Sequence, residues 1–259
     1  MNYEILNGGR VGKIKKSEDK VVRPSNPWTK YVHSFLNYMI DNGFENIPTP
    51  YGIDDNGNEI VSYVEGVVYN DGLPESLLCD DVIISVANLL RKYHDIGSGY
   101  IDKLTGDEEW MLEKRFPMEV MCHGDFAPYN ITFVDNEVSG IIDFDTLHPG
   151  PRLWDIAYAV YRWIPFVSPK NPEYRDGLEE QIRKLKAFAD AYGLNAEQKK
   201  TLPDMMINRI ESLIAYMKEQ ADLGNEDFAR NIAEGHMTLY QQEVFYIAEN
   251  KERIVTGIV

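Results

Sequence analysis

Apolar and polar positions follow two rhythms along this chain, short and strand-like at first, long and helical later. Residues 3–24 read as two or three short strands, with a turn at Asn7-Gly8-Gly9 and a β-branched run at Lys20-Val21-Val22-Arg23 before a proline. From Pro27 or Trp28 to about Asp41 the period changes. Trp28, Tyr31, Val32, Phe35, Leu36, Met39 and Ile40 fall near three-to-four-residue spacing, which predicts a helix with one buried face, stopped by Asn42-Gly43. Residues 48–53 and 59–64 return to the strand rhythm around Asp54-Asp55-Asn56-Gly57-Asn58, a hairpin signal. A second amphipathic helix, capped by Asp80 or Asp81, runs to Ile96 with Val82, Ile83, Val86, Leu89, Leu90 and Tyr93 on its apolar side. Residues 97–109 are polar and glycine-containing and read as a mobile loop.

Three β-rich runs follow, at 119–122, 131–134 and 138–142, the last two joined by Asp135-Asn136-Glu137. Beyond Asp155 the pattern is helical. Residues 154–163 are apolar on nearly every side and should be buried, ending before Pro165. Further helices are predicted over 173–192, stopped by Gly193, and over 196–223, with Pro203 as a boundary or kink. A last one runs from an Asn225 cap to about Glu252. There is no internal repeat, low-complexity segment or separate linker.

Composition narrows the class. With 259 residues, 44% of them hydrophobic, the chain can bury a core of one large domain or two lobes. A formal net charge of −16 argues against nucleic acid and anionic membrane as partners, since both require basic surface. It is compatible with an amine-bearing small molecule, although acidity also serves plain solubility. The N-terminus lacks the pattern of a signal peptide, and no apolar run approaches the ~20 residues of a membrane span. Cys79 and Cys122 make no disulfide framework, and Cys122 reads as a buried thiol. A cytoplasmic location is the expectation.

The chemistry concentrates between Met121 and Ala157. His123, Asp125, Asn130, Asp143 and Asp145 stand in loops between short strands, so that carboxylate and amide groups converge at strand ends. Taken singly, each has an ordinary reading as a turn aspartate, a loop-bonding asparagine or a strand-end residue. Taken together they suit phosphoryl transfer. One Asp orients an attacking hydroxyl and accepts its proton, while an Asn and a second Asp hold Mg²⁺ against nucleotide phosphates.

His123-Gly124-Asp125, then Asn130, then Ile141-Ile142-Asp143 resembles the catalytic core of the aminoglycoside phosphotransferase family, relatives of the protein kinases and of choline kinase-like enzymes. Asp145 stands where a protein kinase has Gly, and Pro149 to Ala157 resembles the family's segment in which an Asp, here Asp155, opens a helix. The resemblance implies an α+β, protein-kinase-like two-lobed fold. A small antiparallel sheet lobe, residues 1–64, would cover a larger, mainly helical lobe, residues 68–259, across a hinge at about 62–67. It implies ATP and Mg²⁺, with transfer of the γ-phosphate to a hydroxyl of a small molecule. Asp125 would be the catalytic residue and His123 its brace, against Asp155 or the Asp143 backbone. Asn130, Asp143 and Asp145 would be metal ligands. Gly8 and Gly9 would form a shortened phosphate loop, Arg23 would replace the phosphate-anchoring Lys, and Val64, Glu65 and Gly66 would read the adenine edge. Asp155, Tyr158, Tyr161, Arg162 and Trp163 are candidate substrate contacts, with core packing as their alternative reading.

In protein kinases the anchoring Lys pairs with a Glu of the following helix. Here no acidic residue occurs between Trp28 and Ile40, and His33 is a polar residue of that stretch. This departure motivates an alternative, a degenerate nucleotide-binding protein with a sensing or scaffold role. A metal-dependent phosphoesterase is a lesser alternative, because of five histidines only His123 and His148 lie in the core stretch.

Overall fold

Local turn chemistry builds the N-terminal sheet. The computed structural model describes residues 4–6, 14–70 and 72–259, so Gly8 and Gly9 lie outside the described residues. Strands β1 (Glu4–Ile5), β2 (Lys15–Ser17), β3 (Lys20–Pro24), β4 (Pro50–Ile53) and β5 (Asn58–Ser62) form one antiparallel sheet in the order β1-β2-β3-β5-β4. The β4–β5 turn is set by Asp54, whose Oδ1 accepts from the N–H groups of Asn56 and Asn58 at 2.9 and 2.8 Å. Between β3 and β4 lies helix α1 (Thr29–Asp41), which buries Val32, Phe35, Leu36 and Met39.

Helix α2 (Asp80–Gly97) carries the expected apolar face, but Cys79 is its N-cap. Asp80 and Asp81 fall in the first turn, where their charge favours the helix N-terminus. The segment expected to be a mobile loop starts as a 3-10 helix, Ser98–Lys103. Tyr100 explains this: its ring packs 5.3 Å from both Phe35 and Tyr38 and is buried, a contact that the surrounding polar sequence conceals.

Strand β6 (Val120–Cys122) pairs antiparallel with β9 (His148–Gly150), while β7 (Ile131–Val134) and β8 (Glu137–Ile141) form a hairpin. Asp135 and Asn136 turn that hairpin with φ of 52° and 66°, the left-handed values a two-residue turn demands. Strand β9 escapes sequence reading because His-Pro-Gly has no strand propensity.

The backbone divides into two compact units, Met1–Arg152 and Leu153–Val259. The expected lobe boundary near 62–67 falls within the first. The second consists of helices α3 (Arg152–Trp163, whose first residue closes the first unit), α4 (Leu178–Tyr192), α5 (Ala196–Asp222), α6 (Glu226–Ala233) and α7 (His236–Ile258). Three expectations are corrected here. Helix α4 starts at Leu178, after Gly177, rather than at 173. Helix α5 runs unbroken through Pro203, with Asn195 and Gln198 closing a capping box at its start. The expected last helix is two, because Gly235 adopts φ 92° between them. Leu185, Phe188, Leu202, Met206, Ile210, Ile247 and Ile254 form the buried core of this unit. Among the described residues no helix is long and apolar enough to cross a membrane.

Candidate active site

The loop after β6 is fixed by close approach. Gly124 has φ 80°, and a Cβ there would stand 2.5 Å from the Thr146 carbonyl oxygen, so both conformation and space require glycine. His123 is fully buried; its Nε2–H donates to Ile142 O at 3.0 Å, and its Nδ1 accepts from the Asp125 N–H at 3.3 Å. Those two partners set the tautomer and ring orientation. The imidazole lies 4.9 Å from the Phe144 ring, 6.1 Å from Phe126 and 6.4 Å from Tyr93. The loop after β6 therefore rests on an apolar floor. His94 is also buried, with Arg152 Nη2 donating to its carbonyl at 3.4 Å and Arg152 Nη1 ion-paired to Asp95 at 2.8 Å.

Asp125 is held at both carboxylate oxygens. Tyr129 Oη donates to Oδ1 at 2.7 Å, and Asn130 Nδ2 donates to Oδ2 at 3.0 Å and to the Asp125 carbonyl at 2.9 Å. These bonds orient the carboxylate. With its Nδ2 committed to Asp125, Asn130 has Oδ1 as the donor to offer a cation. The Ile142 N–H donates to Asn130 O at 2.9 Å, which sets Asn130 beside the strand end that leads into Asp143. Tyr129 was missed by sequence reasoning. Its signal is a hydroxyl-bearing ring four residues after Asp125, in the 3-10 turn Pro128–Asn130.

Asp143 follows β8 with φ 59°, a left-handed value that costs a non-glycine residue on the order of 1 kcal/mol, least for Asp and Asn. Burial of the next ring, Phe144, against His123 and Phe35 holds the turn in place. The carboxylates of Asp143 and Asp145 meet one guanidinium. Arg23 Nη1 lies 3.0 Å from Asp143 Oδ1, and Nη2 lies 2.9 Å from Asp145 Oδ1. The Nε edge of Arg23 pairs with Glu59 Oε1. Burial works against the Arg23 charge, but Asp145, Asp143 and Glu59 outweigh it and hold the guanidinium more firmly protonated than usual.

Two carboxylates that converge on one cation, on a segment whose backbone is bonded to that of Asn130, are oxygen ligands of the kind that fit Mg²⁺. That ion takes few protein ligands and keeps water and phosphate oxygens as the rest. Among the described residues no group of three or more His, Cys, Asp or Glu side chains stands ready to hold a metal alone.

Val64, Glu65 and Gly66 follow β5, and the next residue, Val67, bridges to Phe133 of β7 through N–H···O bonds of 2.8 and 2.9 Å. Gly66 has φ 128°, and a Cβ would meet Thr132 Cβ at 2.8 Å, so glycine is required for this approach. The α3 candidates belong to the second unit. Asp155 is fully buried, and Tyr158, Tyr161 and Trp163 nearly so. Tyr158 lies under the Arg209 guanidinium at 4.2 Å, and Tyr161 Oη donates to Glu243 Oε2 at 2.6 Å. The Arg162 guanidinium stands 5.7 Å from the Tyr161 ring. Much of this aromatic stripe is core, its polar tips bound within the unit.

Residues 102–192 match the phosphotransferase enzyme family, APH. No curated protein matches the sequence significantly. Among solved structures, the chain is similar to a choline/ethanolamine kinase family protein from Mesorhizobium loti, at 14% identity and a TM-score of 0.63. That match covers 100% of this chain and 92% of that one. It is similar also to the amicoumacin kinase hAmiN in complex with AMP-PNP, Ca²⁺ and Ami, at 13% identity and a TM-score of 0.62, covering 90% and 88% of the two chains. A third is aminoglycoside 2'-phosphotransferase-IIIa in its GDP complex, at 14% identity and a TM-score of 0.59, covering 98% and 93%. The chain thus has the protein-kinase-like fold of the aminoglycoside phosphotransferases and the choline and ethanolamine kinases, and its stretch 102–192 carries the APH family's own sequence pattern.

Proposed function

We propose that this protein is a small-molecule kinase that moves the γ-phosphoryl group of ATP to a hydroxyl of its acceptor. The observation that carries the reading is the linked set Asp125, Asn130, Asp143 and Asp145. One carboxylate is held at both oxygens, by a phenol and an amide, and a carboxylate pair grips the Arg23 guanidinium. The family match over 102–192 and the kinase-like fold support it.

In this reading Asp125 takes the hydroxyl proton of the acceptor. Tyr129 and Asn130 fix its two oxygens, so the base is oriented before the acceptor binds. His123 holds the loop through its bond to Ile142 O. Asn130, Asp143 and Asp145 would hold Mg²⁺, whose chemistry there would be to neutralise charge on the nucleotide phosphates. Arg23, which spans the carboxylate pair, would supply its Nη groups to phosphate oxygens of a bound nucleotide, a bidentate match that arginine makes well. Val64 to Gly66 would offer backbone groups to the base; Asp155, Tyr158, Tyr161 and Trp163 are buried within the second unit and serve its packing. The net charge of −16 favours an acceptor bearing amines.

The test is acceptor-dependent ADP release with MgATP, across hydroxylated amines, sugars and antibiotics, for wild type beside Asp125→Asn. One acceptor class should stimulate the wild type. The variant should bind MgATP nearly as well and turn over about 10²- to 10⁴-fold more slowly. Full turnover in Asp125→Asn would remove Asp125 from the role. Arg23 seated on both metal-loop carboxylates favours a second reading, nucleotide binding without transfer. Its mark would be MgATP binding with no acceptor-stimulated ADP release.

A further inference from the structure

Helix α1 offers no acid, yet Arg23 has a buried carboxylate partner. The β3–β5 register sets Arg23 directly opposite Glu59, and the Glu59 side chain is only 2% exposed. Strand β5 alternates, so Glu59 shares its inward face with the core residue Val61. Its two oxygens are divided: Oε1 takes the Nε edge of Arg23, and Oε2 takes Nε2 of His33, from α1, at 3.1 Å. Burial alone would raise this carboxyl; the His33 hydrogen bond and Arg23 reverse that and hold it below the usual carboxylate range.

We propose that Glu59 and His33 together replace the helix glutamate of protein kinases, as positioning residues that hold Arg23 for the nucleotide. The inference rests on the kinase reading above. Geometry assigns the labour on one planar cation. The Nε edge, next to the strand, belongs to Glu59, and the Nη groups, at the far end, face Asp143 and Asp145. A guanidinium can serve both ends because its five N–H donors lie in a rigid fork. A lysine ammonium gathers its three donors at one point, which suits a glutamate that reaches it beside the phosphates; at position 23 it would offer the strand-borne Glu59 no separate inner edge. Arg23 and a strand-borne Glu59 are therefore a matched pair. The helix contributes through His33, so a shift of α1 is felt at Arg23 by way of one imidazole–carboxylate hydrogen bond.

The test measures MgATP affinity by titration calorimetry, together with KM for ATP, KM for the acceptor and Tm, in wild type, Glu59→Gln, Arg23→Lys, His33→Gln and His33→Leu. Glu59→Gln and Arg23→Lys should each weaken MgATP binding about tenfold or more and raise KM for ATP, with KM for the acceptor unchanged. Loss of folded protein alone would lower kcat and leave both KM values in place. His33→Gln retains an N–H for Glu59 and should keep most of the affinity that His33→Leu loses. Wild-type affinity in Glu59→Gln, or Arg23→Lys binding as well as wild type, overturns the proposal and leaves the kinase reading standing. If Glu59→Gln does not fold, equal affinities in the two His33 variants overturn it. A wild type that fails to bind MgATP overturns the kinase reading and this inference with it.

Discussion

Two buried glutamates show how partners decide the fate of a charge. Glu59 has Arg23 and His33 against it and is held below the carboxylate range despite burial. Glu243 of α7 is 4% exposed and accepts from Tyr161 Oη and from Asn171 Nδ2 at 2.6 and 2.8 Å. Burial pushes its carboxyl up to about 7; the Tyr161 bond works against this and the Glu173 charge adds to it. Burial and the Glu243 charge in turn push the Tyr161 phenol well above its ordinary range. In the unfolded chain a glutamate titrates near ~4.3, so between about 4.3 and 7 the folded protein keeps a proton that the unfolded chain has lost. Stability attributable to this group therefore falls as pH rises through that window and levels off above it. A shift of this size is on the order of 3 kcal/mol. Glu243→Gln removes the ionisation, so its Tm should be close to wild type at pH 5 and higher than wild type at pH 8. Thermal unfolding at the two pH values checks this, and parallel curves would relieve Glu243 of the effect.

At the scale of elements, the α6–α7 break depends on a single backbone conformation. A Cβ at Gly235 meets nothing within 4 Å, so Gly235→Ala carries only the cost of its left-handed φ, ~1–2 kcal/mol. Urea unfolding should show that loss with acceptor-stimulated turnover unaltered, since α6 and α7 carry none of the proposed catalytic groups. This glycine was legible as a residue but not as a break, because apolar spacing continues on both sides of it. The reverse holds at the loop of the proposed catalytic groups, where the order and spacing of Gly124, Asp125, Asn130 and Asp143 stand out in the sequence because their geometry is local. What escaped reading depends on distant partners. Strand β9 exists because β6 needs a neighbour, Tyr100 because Phe35 and Tyr38 are there to pack on, and Glu59 meets Arg23 through a register that spans 36 residues. An acidic side chain on the core-facing side of an alternating strand was the available hint for Glu59.

For the whole molecule, 42 acidic residues against 26 basic ones leave an excess of negative charge that the folded state must confine. Ion pairs such as Arg91–Asp95, Arg183–Glu180 and Lys186–Asp190 lie on exposed surface, where each contributes about 0–1 kcal/mol at most. Self-repulsion should outweigh them. Raising ionic strength from about 0.01 to 0.15 M shortens the screening length from about 30 to 8 Å, and Tm should rise with it. A flat or falling Tm would mean that the surface pairs dominate. The cation at residue 23 bears on how such a protein would be found at all. A nucleotide carrying an acyl phosphate marks kinases by acylating the amine of an anchoring lysine. At this position it would meet a guanidinium, which is protonated at any ordinary pH and therefore not nucleophilic. On the kinase reading, a proteome survey that counts acylated anchor lysines would pass this chain by, while immobilised ATP would retain it.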